Sequence, residues 1–236
     1  DSAVNWLPST ANWDNYKNAM NSMNYAKAIK DSFIIALVPT VINVVMCSVI
    51  GYGLARYSFK LKGILFMFVI LAFVLPQQLT LTPTYELYSQ LQLTGSILPF
   101  IIPNIFGQGL NASIFILISW SFFKQIPNAL MEAAQIDGAG EWQIYRKICM
   151  PLCKGAICSA AILVFIDYWN MVEQPLILMT DAEKHPLSVF LSKINDGEIG
   201  LAFAVATIYM VPSLLIFLYG EEYLVDGITY QGGIKG

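Results

Sequence analysis

A short polar run interrupts an apolar stretch late in the chain. Its members include the carboxylates Asp167 and Glu173, the amide Asn170 and the indole of Trp169. Carboxylates and amides form hydrogen bonds with hydroxyl groups, and an aromatic ring offers an apolar face for stacking. Asp167, Asn170 and Gln174 recur at a spacing that predicts one shared helix face. These residue types in this pattern favour contact with a hydroxyl-rich molecule.

The same run also permits a purely structural interpretation. Trp169 and Tyr168 are typical of the aromatic belt at a membrane surface, and Glu173 could extend its carboxylate to water. Asp167 is harder to explain in this way, because an ionisable side chain at membrane depth is costly unless it faces a cavity or a partner. Both interpretations stay open at this point.

A second polar interval carries residues suited to binding a partner protein. A helix with Ala133 and Ala134 side by side presents a flat face that another protein can approach closely. Glu132 near its start suits the positive end of the helix dipole. Gly138 then permits a sharp turn where a side chain would resist. We expect two short helices that meet at this glycine.

The boundaries of these two helices follow from capping and periodicity. Asn128 is the predicted N-cap of the first helix, and the second begins near Glu141. In the second helix Trp142, Tyr145 and Cys149 form an apolar stripe, which we expect to lie against the ends of neighbouring membrane helices. A plain amphipathic hairpin would show the same stripe, so the stripe alone does not identify a partner.

The composition assigns the chain to the membrane proteins. Hydrophobic residues make up 56% of its 236 residues, charged residues only 12%, and the mean hydropathy is +0.59. A chain with so many apolar residues cannot bury all of their side chains in the core of one soluble domain. The net charge of -3 and the scattered Lys and Arg residues exclude a nucleic-acid partner.

The cysteines and the single histidine do not predict a metal or catalytic centre. Cys47, Cys149, Cys153 and Cys158 lie in apolar segments or in the polar interval described above, which predicts no disulfide framework. Cys149 and Cys153 can share a helix face, but no third Cys or His lies close to them in sequence. His185 lies in a polar loop, where we expect it to be solvated.

Five segments are apolar enough to cross a bilayer, which needs about twenty residues per span. They occupy residues 31–55, 63–84, 98–123, 155–179 and 199–219. The first 30 residues are too polar to span and lack the basic start and apolar core of a signal peptide. The expected fold is an all-α polytopic membrane helical bundle. Its expected parts are an N-terminal segment 1–30, a transmembrane domain 31–220 that includes a loop 124–154, and a tail 221–236.

The distribution of Lys and Arg orients this bundle. With the N-terminal segment outside, eight of the 13 basic residues fall in cytosolic segments and five outside. The short loop from Arg56 to Lys62 decides the orientation, because short loops follow the positive-inside rule most reliably. The sequence therefore predicts an extracytoplasmic N-terminal segment, a cytosolic loop 124–154 and a cytosolic C-terminus.

Proline and amide residues recur inside the predicted spans. Pro39 and Asn43 interrupt the first span, and Pro76 and Pro83 bend the second. The third span carries Pro99, Pro103, Asn104, Gln108 and Asn111. Backbone groups freed by proline must be satisfied by neighbouring helices or by water in a cavity. A packed bundle explains any one of these residues, whereas all of them together favour a translocation path.

The polar interval matches a known spacing. Glu132-Ala133-Ala134, then Gly138, nine residues and Ile148-Cys149-Met150-Pro151 resemble the EAA loop of ABC-transporter permeases, with Met150 where Leu is usual. The chain as a whole resembles the carbohydrate-uptake permeases, specifically the MalG-like subunits of binding-protein-dependent importers. Further motifs that carry this resemblance are Leu75-Pro76, Leu93-Thr94-Gly95, Ile126-Pro127, Trp169-Asn170, Pro175-Leu176 and the ending Tyr223-Leu224-Val225-Asp226-Gly227-Ile228.

The resemblance implies a permease subunit of a type I ABC importer in a bacterial or archaeal plasma membrane. A second, MalF-like permease would complete the path, an extracytoplasmic solute-binding protein would deliver the carbohydrate substrate, and two cytosolic ATPases would bind ATP and Mg. This chain has no phosphate-binding loop, so it is expected to hold no cofactor and not to be an enzyme. Such permeases have six spans, so the first span is expected to precede residue 1.

The resemblance also implies roles for the two polar runs. The EAA loop would be the coupling helix that docks in the ATPase. Its expected coupling residues are Glu132, Ala133, Ala134, Asp137, Gly138 and Pro151. The expected substrate path includes Asp167, Trp169, Asn170 and Glu173.

Two other classes of protein remain open from the residues alone. An ion-coupled secondary transporter could use Asp167 as an ion site, but it would have no need of an EAA loop. A polytopic membrane enzyme would need a nucleophile beside a base or a metal cluster, which His185 and the scattered cysteines do not suggest. Dependence on ATP separates the importer from the ion-coupled transporter.

Overall fold

The computed structural model describes residues 13–22, 24–194 and 199–229. Every regular element in these residues is a helix, which confirms the predicted all-α class. Residues 1–12 of the predicted N-terminal segment and 230–236 of the predicted tail lie outside the described residues. In chain order the α-helices are α1 (Asp14–Ser22), α2 (Tyr25–Arg56), α3 (Lys62–Val74), α4 (Gln77–Gln90), α5 (Leu98–Ile105), α6 (Ala112–Gln125), α7 (Asn128–Ile136), α8 (Glu141–Ile144), α9 (Met150–Leu152), α10 (Lys154–Trp169), α11 (Glu173–Leu178), α12 (Leu187–Ser192) and α13 (Ile199–Thr229).

The long helix α2 is the centre of the bundle. It packs against α5, α6 and α10, and α10 packs in turn against α13. Gly51 sets the distance between α2 and α6, because a Cβ at this position would lie 2.6 Å from Ser119 Cβ and 2.8 Å from the backbone nitrogen of Trp120. Small residues allow membrane helices this close an approach.

The predicted second span is broken. α3 ends at Val74, α4 begins at Gln77, and their axes differ by 100°. Pro76 causes the break, because it has no N–H to donate and it drives the preceding Leu75 into an extended conformation. The bend at Pro76 was therefore predicted correctly, whereas one helix over 63–84 was wrong. Pro83 lies within α4 without ending it.

The third and fourth predicted spans are also shorter than expected. Residues 98–123 divide into α5 and α6, because Gly107 (φ 68°) after α5 and Asn111 (φ 52°) directly before α6 adopt left-handed conformations that do not continue a helix. The helix predicted over 155–179 ends at Trp169, and the separate α11 follows. The first and last predicted spans are parts of the longer helices α2 and α13.

Membrane crossing by these helices can be judged from length and hydropathy. Within the described part of the chain, two helices, Tyr25–Arg56 and Ile199–Tyr223, are long and apolar enough to cross alone, and up to five spans result if each of three bent helix pairs counts as one. After Lys62 at its start, α3 is apolar throughout, and none of its residues is buried. Such an exposed apolar surface suits lipid or another membrane subunit.

Two parts of the core bear on function. The central cluster joins α2, α5, α6 and α10 and includes Ile35, Phe115, Val164 and Trp169. A second cluster, here called the hairpin cluster, lies where α2 and α6 end and comprises Tyr52, Phe123, Ile126, Ile144, Tyr145, Cys149 and Cys153. The polar interval packs against the hairpin cluster, and the broken spans pack against the central cluster.

Candidate functional site

The polar interval folds as a helical hairpin. α7 ends at Ile136, Gly138 turns the chain with φ 84°, and α8 begins at Glu141. A left-handed φ of this kind strains most residues but not glycine. The predicted glycine corner and the start near Glu141 are therefore confirmed. A π-helical turn, Tyr145–Cys149, continues α8 into α9.

The predicted N-cap of α7 is wrong by one residue. Pro127 flanks the helix and Asn128 is its first residue. The side chain of Asn128 does not cap the helix, because its Oδ1 accepts a hydrogen bond from Arg56 Nη1 at 2.9 Å. Arg56 Nη2 donates a second hydrogen bond to the backbone oxygen of Ile126 at 2.7 Å. The end of α2 thus holds the start of the hairpin.

The two faces of α7 differ in exposure. Met131 and Ala134 pack against the hairpin cluster. The opposite face is exposed and consists of Ala129, Glu132, Ala133 and Ile136. Ile136 at its end is 86% exposed. Asp137, Gly138 and Pro151, which were also predicted to take part in coupling, are exposed. The hairpin therefore presents a small surface of mostly small or apolar side chains with the two carboxylates Glu132 and Asp137.

The apolar stripe of the second hairpin helix is buried in part. Tyr145 and Cys149 lie in the hairpin cluster, where the Tyr145 ring packs 5.0 Å from that of Tyr52. The Tyr145 hydroxyl also shares a hydrogen bond with Ser48 Oγ at 2.6 Å. Trp142, predicted to belong to the same stripe, is 62% exposed. The stripe does pack against membrane helices as expected, except at Trp142.

A hydrogen bond outside the spans also joins the hairpin to α2. The hydroxyl of Tyr57 donates to Glu141 Oε2 at 2.7 Å. This hydrogen bond to a carboxylate raises the pKa of Tyr57 to about 12. Glu141 Oε1 accepts a further hydrogen bond from Gln135 Nε2 at 3.0 Å, which closes the hairpin on itself. Tyr57 therefore stays a hydrogen-bond donor throughout the physiological pH range.

A cavity of about 580 Å³ opens where the two broken spans meet. Its walls are the end of α3, the start of α4, the segment between α5 and α6, and parts of α10 and α11. Polar side chains in these walls include Gln77, Gln78, Thr84, Gln108 and Asn111. The sequence showed proline and amides in these spans, and that combination was the available signal for the cavity.

None of the four predicted path residues lines this cavity, but Asp167 reaches it through a neighbour. Asp167 is half-buried, and its Oδ2 accepts a hydrogen bond from Asn111 Nδ2 at 2.8 Å. Asn111 Oδ1 in turn accepts from Gln77 Nε2 at 3.2 Å. These hydrogen bonds link three side chains and so connect α10, the segment 106–111 between α5 and α6, and α4.

Trp169, Asn170 and Glu173 occupy different surroundings. Trp169 is 3% exposed, stacks on Tyr209 at 5.8 Å between ring centres, and donates from Nε1 to the backbone oxygen of Tyr209 at 3.3 Å. Asn170 is exposed at the end of α10 and accepts a 2.5 Å hydrogen bond from the Tyr209 hydroxyl. Glu173 is exposed at the start of α11.

The predicted helix face shared by Asp167, Asn170 and Gln174 is wrong. α10 ends at Trp169, so Gln174 belongs to another helix, although it does line the cavity. Tyr168, which the structural alternative assigned to an aromatic belt, is buried. Its hydroxyl accepts hydrogen bonds from Asn104 Nδ2 at 2.6 Å and from the backbone N–H of Leu110 at 3.0 Å. Tyr168 thus stabilises the segment 106–111 between α5 and α6.

Comparison with known proteins adds to this geometry. Residues 47–229 match the family described as binding-protein-dependent transport system inner membrane component. The arabinooligosaccharides transport system permease protein AraQ of Bacillus subtilis is 32% identical over 97% of this chain and 81% of its own length. The trehalose transport system permease protein SugB of Mycobacterium tuberculosis is 31% identical over 98% of this chain and 84% of its own.

A solved structure shares the fold. It is that of a bacterial ABC transporter involved in the import of the acidic polysaccharide alginate, and it superimposes with a TM-score of 0.79 at 18% identity, over 94% of this chain and 83% of the other. A likeness at this level of identity establishes the arrangement of helices and does not extend to the cargo.

Proposed function

This chain belongs to the family of binding-protein-dependent transport system inner membrane components, and from that premise we propose that it is a permease subunit of an ATP-driven importer for a sugar or oligosaccharide. Relatives over almost the whole chain are named for arabinooligosaccharide and trehalose transport. These relatives are transport components and not enzymes. Family membership does not favour an ion-coupled secondary transporter.

The observation that carries the coupling role is the exposed face of α7. Glu132 and Ala133 of the EAA-like motif lie on this face, and Ile136 extends it with an apolar side chain that is 86% exposed. Small side chains allow close approach, and an exposed Ile favours burial against another protein. Asp137, Gly138 and Pro151 complete the exposed end of the hairpin. We propose that an ATPase subunit binds here.

The remaining partners follow from the same proposal. A second permease of the MalF-like kind would cover the exposed apolar helices together with membrane lipid, and a solute-binding protein would deliver substrate from outside. Two ATPase subunits would hold ATP and Mg, and this chain would bind no cofactor of its own. Nucleotide-driven closure of the ATPases would then move the hairpin, and the hydrogen bonds of Arg56 would pass that movement to α2.

The proposed orientation places the hairpin and the C-terminus in the cytosol of a bacterial or archaeal cell. Thiol labelling tests it, because Glu183 and Gln143 are exposed and lie on opposite sides in this proposal. A membrane-impermeant maleimide added to intact cells should label Glu183→Cys and not Gln143→Cys. Cys47, Cys149 and Cys153 are buried, so Cys158→Ala suffices to lower the background. The opposite labelling pattern would invert the orientation.

The predicted path residues keep different proposed roles. Asp167 would act through Asn111, which lines the cavity, and Asn170 and Glu173 are exposed near the end of α10, where a substrate or a second permease could reach them. Trp169 would stabilise this end from within, because it is buried against Tyr209. Direct contact of these side chains with substrate stays a prediction.

The coupling proposal is tested by adding bulk and charge to the exposed face of α7. Ala133→Arg should leave the permease folded, because the side chain points away from the hairpin cluster, and should lower ATP-driven uptake about tenfold or more by weakening ATPase binding by about 1.4 kcal/mol or more. The matched control is Gln143→Arg, which adds the same side chain at an exposed position of the second hairpin helix.

Two measurements decide the outcome. Co-purification of the ATPase reports docking, and uptake per ATP hydrolysed reports coupling. Ala133→Arg should impair at least one of them while Gln143→Arg resembles the wild type. Normal uptake with a normal amount of bound ATPase in Ala133→Arg would contradict the proposal. Uptake that continues without ATP would instead support the ion-coupled alternative.

A further inference from the structure

The cavity between the two helix breaks is polar but carries no formal charge. Gln77, Gln78, Thr80, Thr84, Gln108 and Asn111 supply amide and hydroxyl groups to its walls. Among the described residues, no Asp, Glu, Lys, Arg or His lines it. Amides and hydroxyls both donate and accept hydrogen bonds, as the hydroxyl groups of a sugar do. The chemistry of the walls thus matches a neutral polyhydroxylated molecule.

The helix breaks bring these groups together. Gln77 and Gln78 open α4 directly after Pro76, and Asn111 ends the second break in a left-handed conformation just before α6. Irregular backbone at membrane depth is tolerated where it is buried in protein or lines a water-filled cavity. Both breaks therefore have a physical reason to face the same polar space.

Asn111 is fixed in one orientation at the wall. Its Nδ2 donates to Asp167 Oδ2 at 2.8 Å, and its Oδ1 accepts from Gln77 Nε2 at 3.2 Å. Each end of the amide keeps one further hydrogen-bonding position, because the nitrogen carries two hydrogens and the oxygen two lone pairs. An amide fixed in this way can discriminate between ligands by the geometry of their hydroxyl groups.

Asn104 stabilises the wall of the cavity from within. It is 1% exposed and lines the cavity, and its Nδ2 donates to the Phe100 backbone oxygen and to the Tyr168 hydroxyl, each at 2.6 Å. Its Oδ1 is buried and accepts no hydrogen bond from the described part of the chain. Buried acceptors normally have a donor. Because this oxygen has no accessible surface and packs against Gly109, it belongs to the packed wall and not to the surface that a ligand contacts.

The charge near the cavity is negative. Asp167 lies behind Asn111, and the walls provide no Lys or Arg among the described residues. A carboxylate on a bound sugar would approach Asp167 without a counter-charge, and burial of an unpaired charge is costly. A neutral sugar avoids that cost.

We infer that this cavity binds the hydroxyl groups of an uncharged sugar, with Gln78, Thr84 and Asn111 as contact residues, and that it disfavours acidic sugars. The inference rests on the proposed function, since it names the substrate class of the same importer and the part of this subunit that contacts it. It also separates this chain from the importer of similar fold, whose stated cargo is the acidic polysaccharide alginate.

Ligand-observed saturation-transfer NMR on the purified complex tests the inference directly. The solute-binding protein is left out, so that its own selectivity does not contribute. Arabinotriose and trehalose are the neutral probes, and an alginate trisaccharide is the acidic probe. We expect at least one neutral probe to bind about tenfold or more tightly than the acidic one. Equal or tighter binding of the acidic probe, or no signal from either neutral probe, would overturn the inference.

A pair of threonines on α4 provides a matched control. Thr84 lines the cavity and Thr82 does not, although both lie in the same helix. Thr84→Ala combined with Gln78→Leu should lower binding of the neutral probe about fivefold or more, and Thr84→Ser with Gln78 intact should retain it. Thr82→Ala should bind as the wild type does. Equal effects at the two threonines would remove the cavity from the substrate path.

ATP-driven uptake in proteoliposomes that contain all subunits distinguishes this inference from the proposed function. Uptake of a neutral sugar that depends on ATP, and that falls in the Thr84→Ala, Gln78→Leu variant while complex assembly is normal, supports both. Uptake that depends on ATP but ignores the variant overturns the inference alone. Absence of ATP-driven uptake of every saccharide tested overturns both.

Discussion

The hairpin cluster and the cavity lie at opposite ends of α6. They differ in whether their side chains pack against each other or line open space. At the hairpin end, Phe123 is fully buried and its ring packs 5.4 Å from Tyr52. At the cavity end, Gln78, Thr84 and Asn111 line open space. The hairpin end of α6, together with the hairpin cluster around it, is closely packed and is here called the joint. The other end is part of a cavity wall whose amide and hydroxyl groups can form further hydrogen bonds.

This difference indicates how one small subunit can transmit force and still select a substrate. A close-packed joint transmits displacement because interiors of native density resist compression. A wall of amides can instead accommodate a ligand by new hydrogen bonds without repacking. α6 reaches both regions, and α2 is joined to the cavity wall by the hydrogen bond that Asn43 Nδ2 donates to the Leu110 backbone oxygen at 3.3 Å. A movement of the hairpin should therefore also move the cavity walls.

The largest expected effect comes from removing a buried aromatic ring from the hairpin cluster. Phe123→Ala should destabilise the subunit by about 3–5 kcal/mol, because it removes a fully buried ring between Tyr52 and Tyr145. Thermal unfolding of the detergent-solubilised complex measures the loss. Phe68→Ala on α3, where the ring is 57% exposed, is the control and should change stability little. Similar losses from both variants would show that the joint is no better packed than the lipid-facing surface.

Local sequence patterns predicted the joint well. The Glu132, Gly138 and Glu141 pattern gave two short helices and their turn, because capping, glycine conformation and helix periodicity act within a few residues. What this pattern lacked was the attachment of the hairpin to α2. The hydrogen bonds of Arg56 to residues about 70 positions away depend on tertiary packing, which no local pattern encodes.

The sequence showed the proline and amide residues that form the cavity, but it did not predict where the helices break. Residues 98–123 are apolar enough on average to predict one span despite their amides and glycines, whereas the left-handed Gly107 and Asn111 separate α5 from α6. The same limitation placed Gln174 on the face of Asp167, because the end of α10 at Trp169 was not visible in the spacing. Burial of Trp169 depends on Tyr209, which lies 40 residues later.

A pair of glycines on α2 gives an intermediate effect of predictable sign. Gly51→Ala should destabilise the α2–α6 contact by about 1–3 kcal/mol, because the new Cβ would meet Ser119 Cβ at 2.6 Å and the backbone of Trp120. Gly53→Ala meets nothing within 4 Å and should be neutral or stabilising by about 0.5–1 kcal/mol, since alanine favours helix. Thermal unfolding of the two variants should therefore shift in different directions. Equal shifts would refute the close approach of α2 and α6.

The smallest expected effect on stability, and the most specific effect on coupling, comes from Arg56→Gln. This change weakens the two hydrogen bonds that join α2 to Asn128 and to the Ile126 backbone, at a cost of about 1–2 kcal/mol confined to the hairpin. The fold and ATPase binding should survive, because the hairpin cluster and the exposed face of α7 are unchanged, whereas uptake per ATP hydrolysed should fall.

Hydrogen exchange locates the effect of Arg56→Gln. Amides of α7 should exchange faster in this variant, and those of the segment 106–111 at the cavity should not change. Lys60→Gln removes a nearby exposed charge and should alter neither exchange nor coupling. Unchanged exchange in α7 together with unchanged uptake per ATP would mean that Arg56 does not carry force. Faster exchange at both ends of α6 would mean instead that the joint and the cavity wall are one cooperative unit, because weakening the attachment to α2 would then loosen the walls as well.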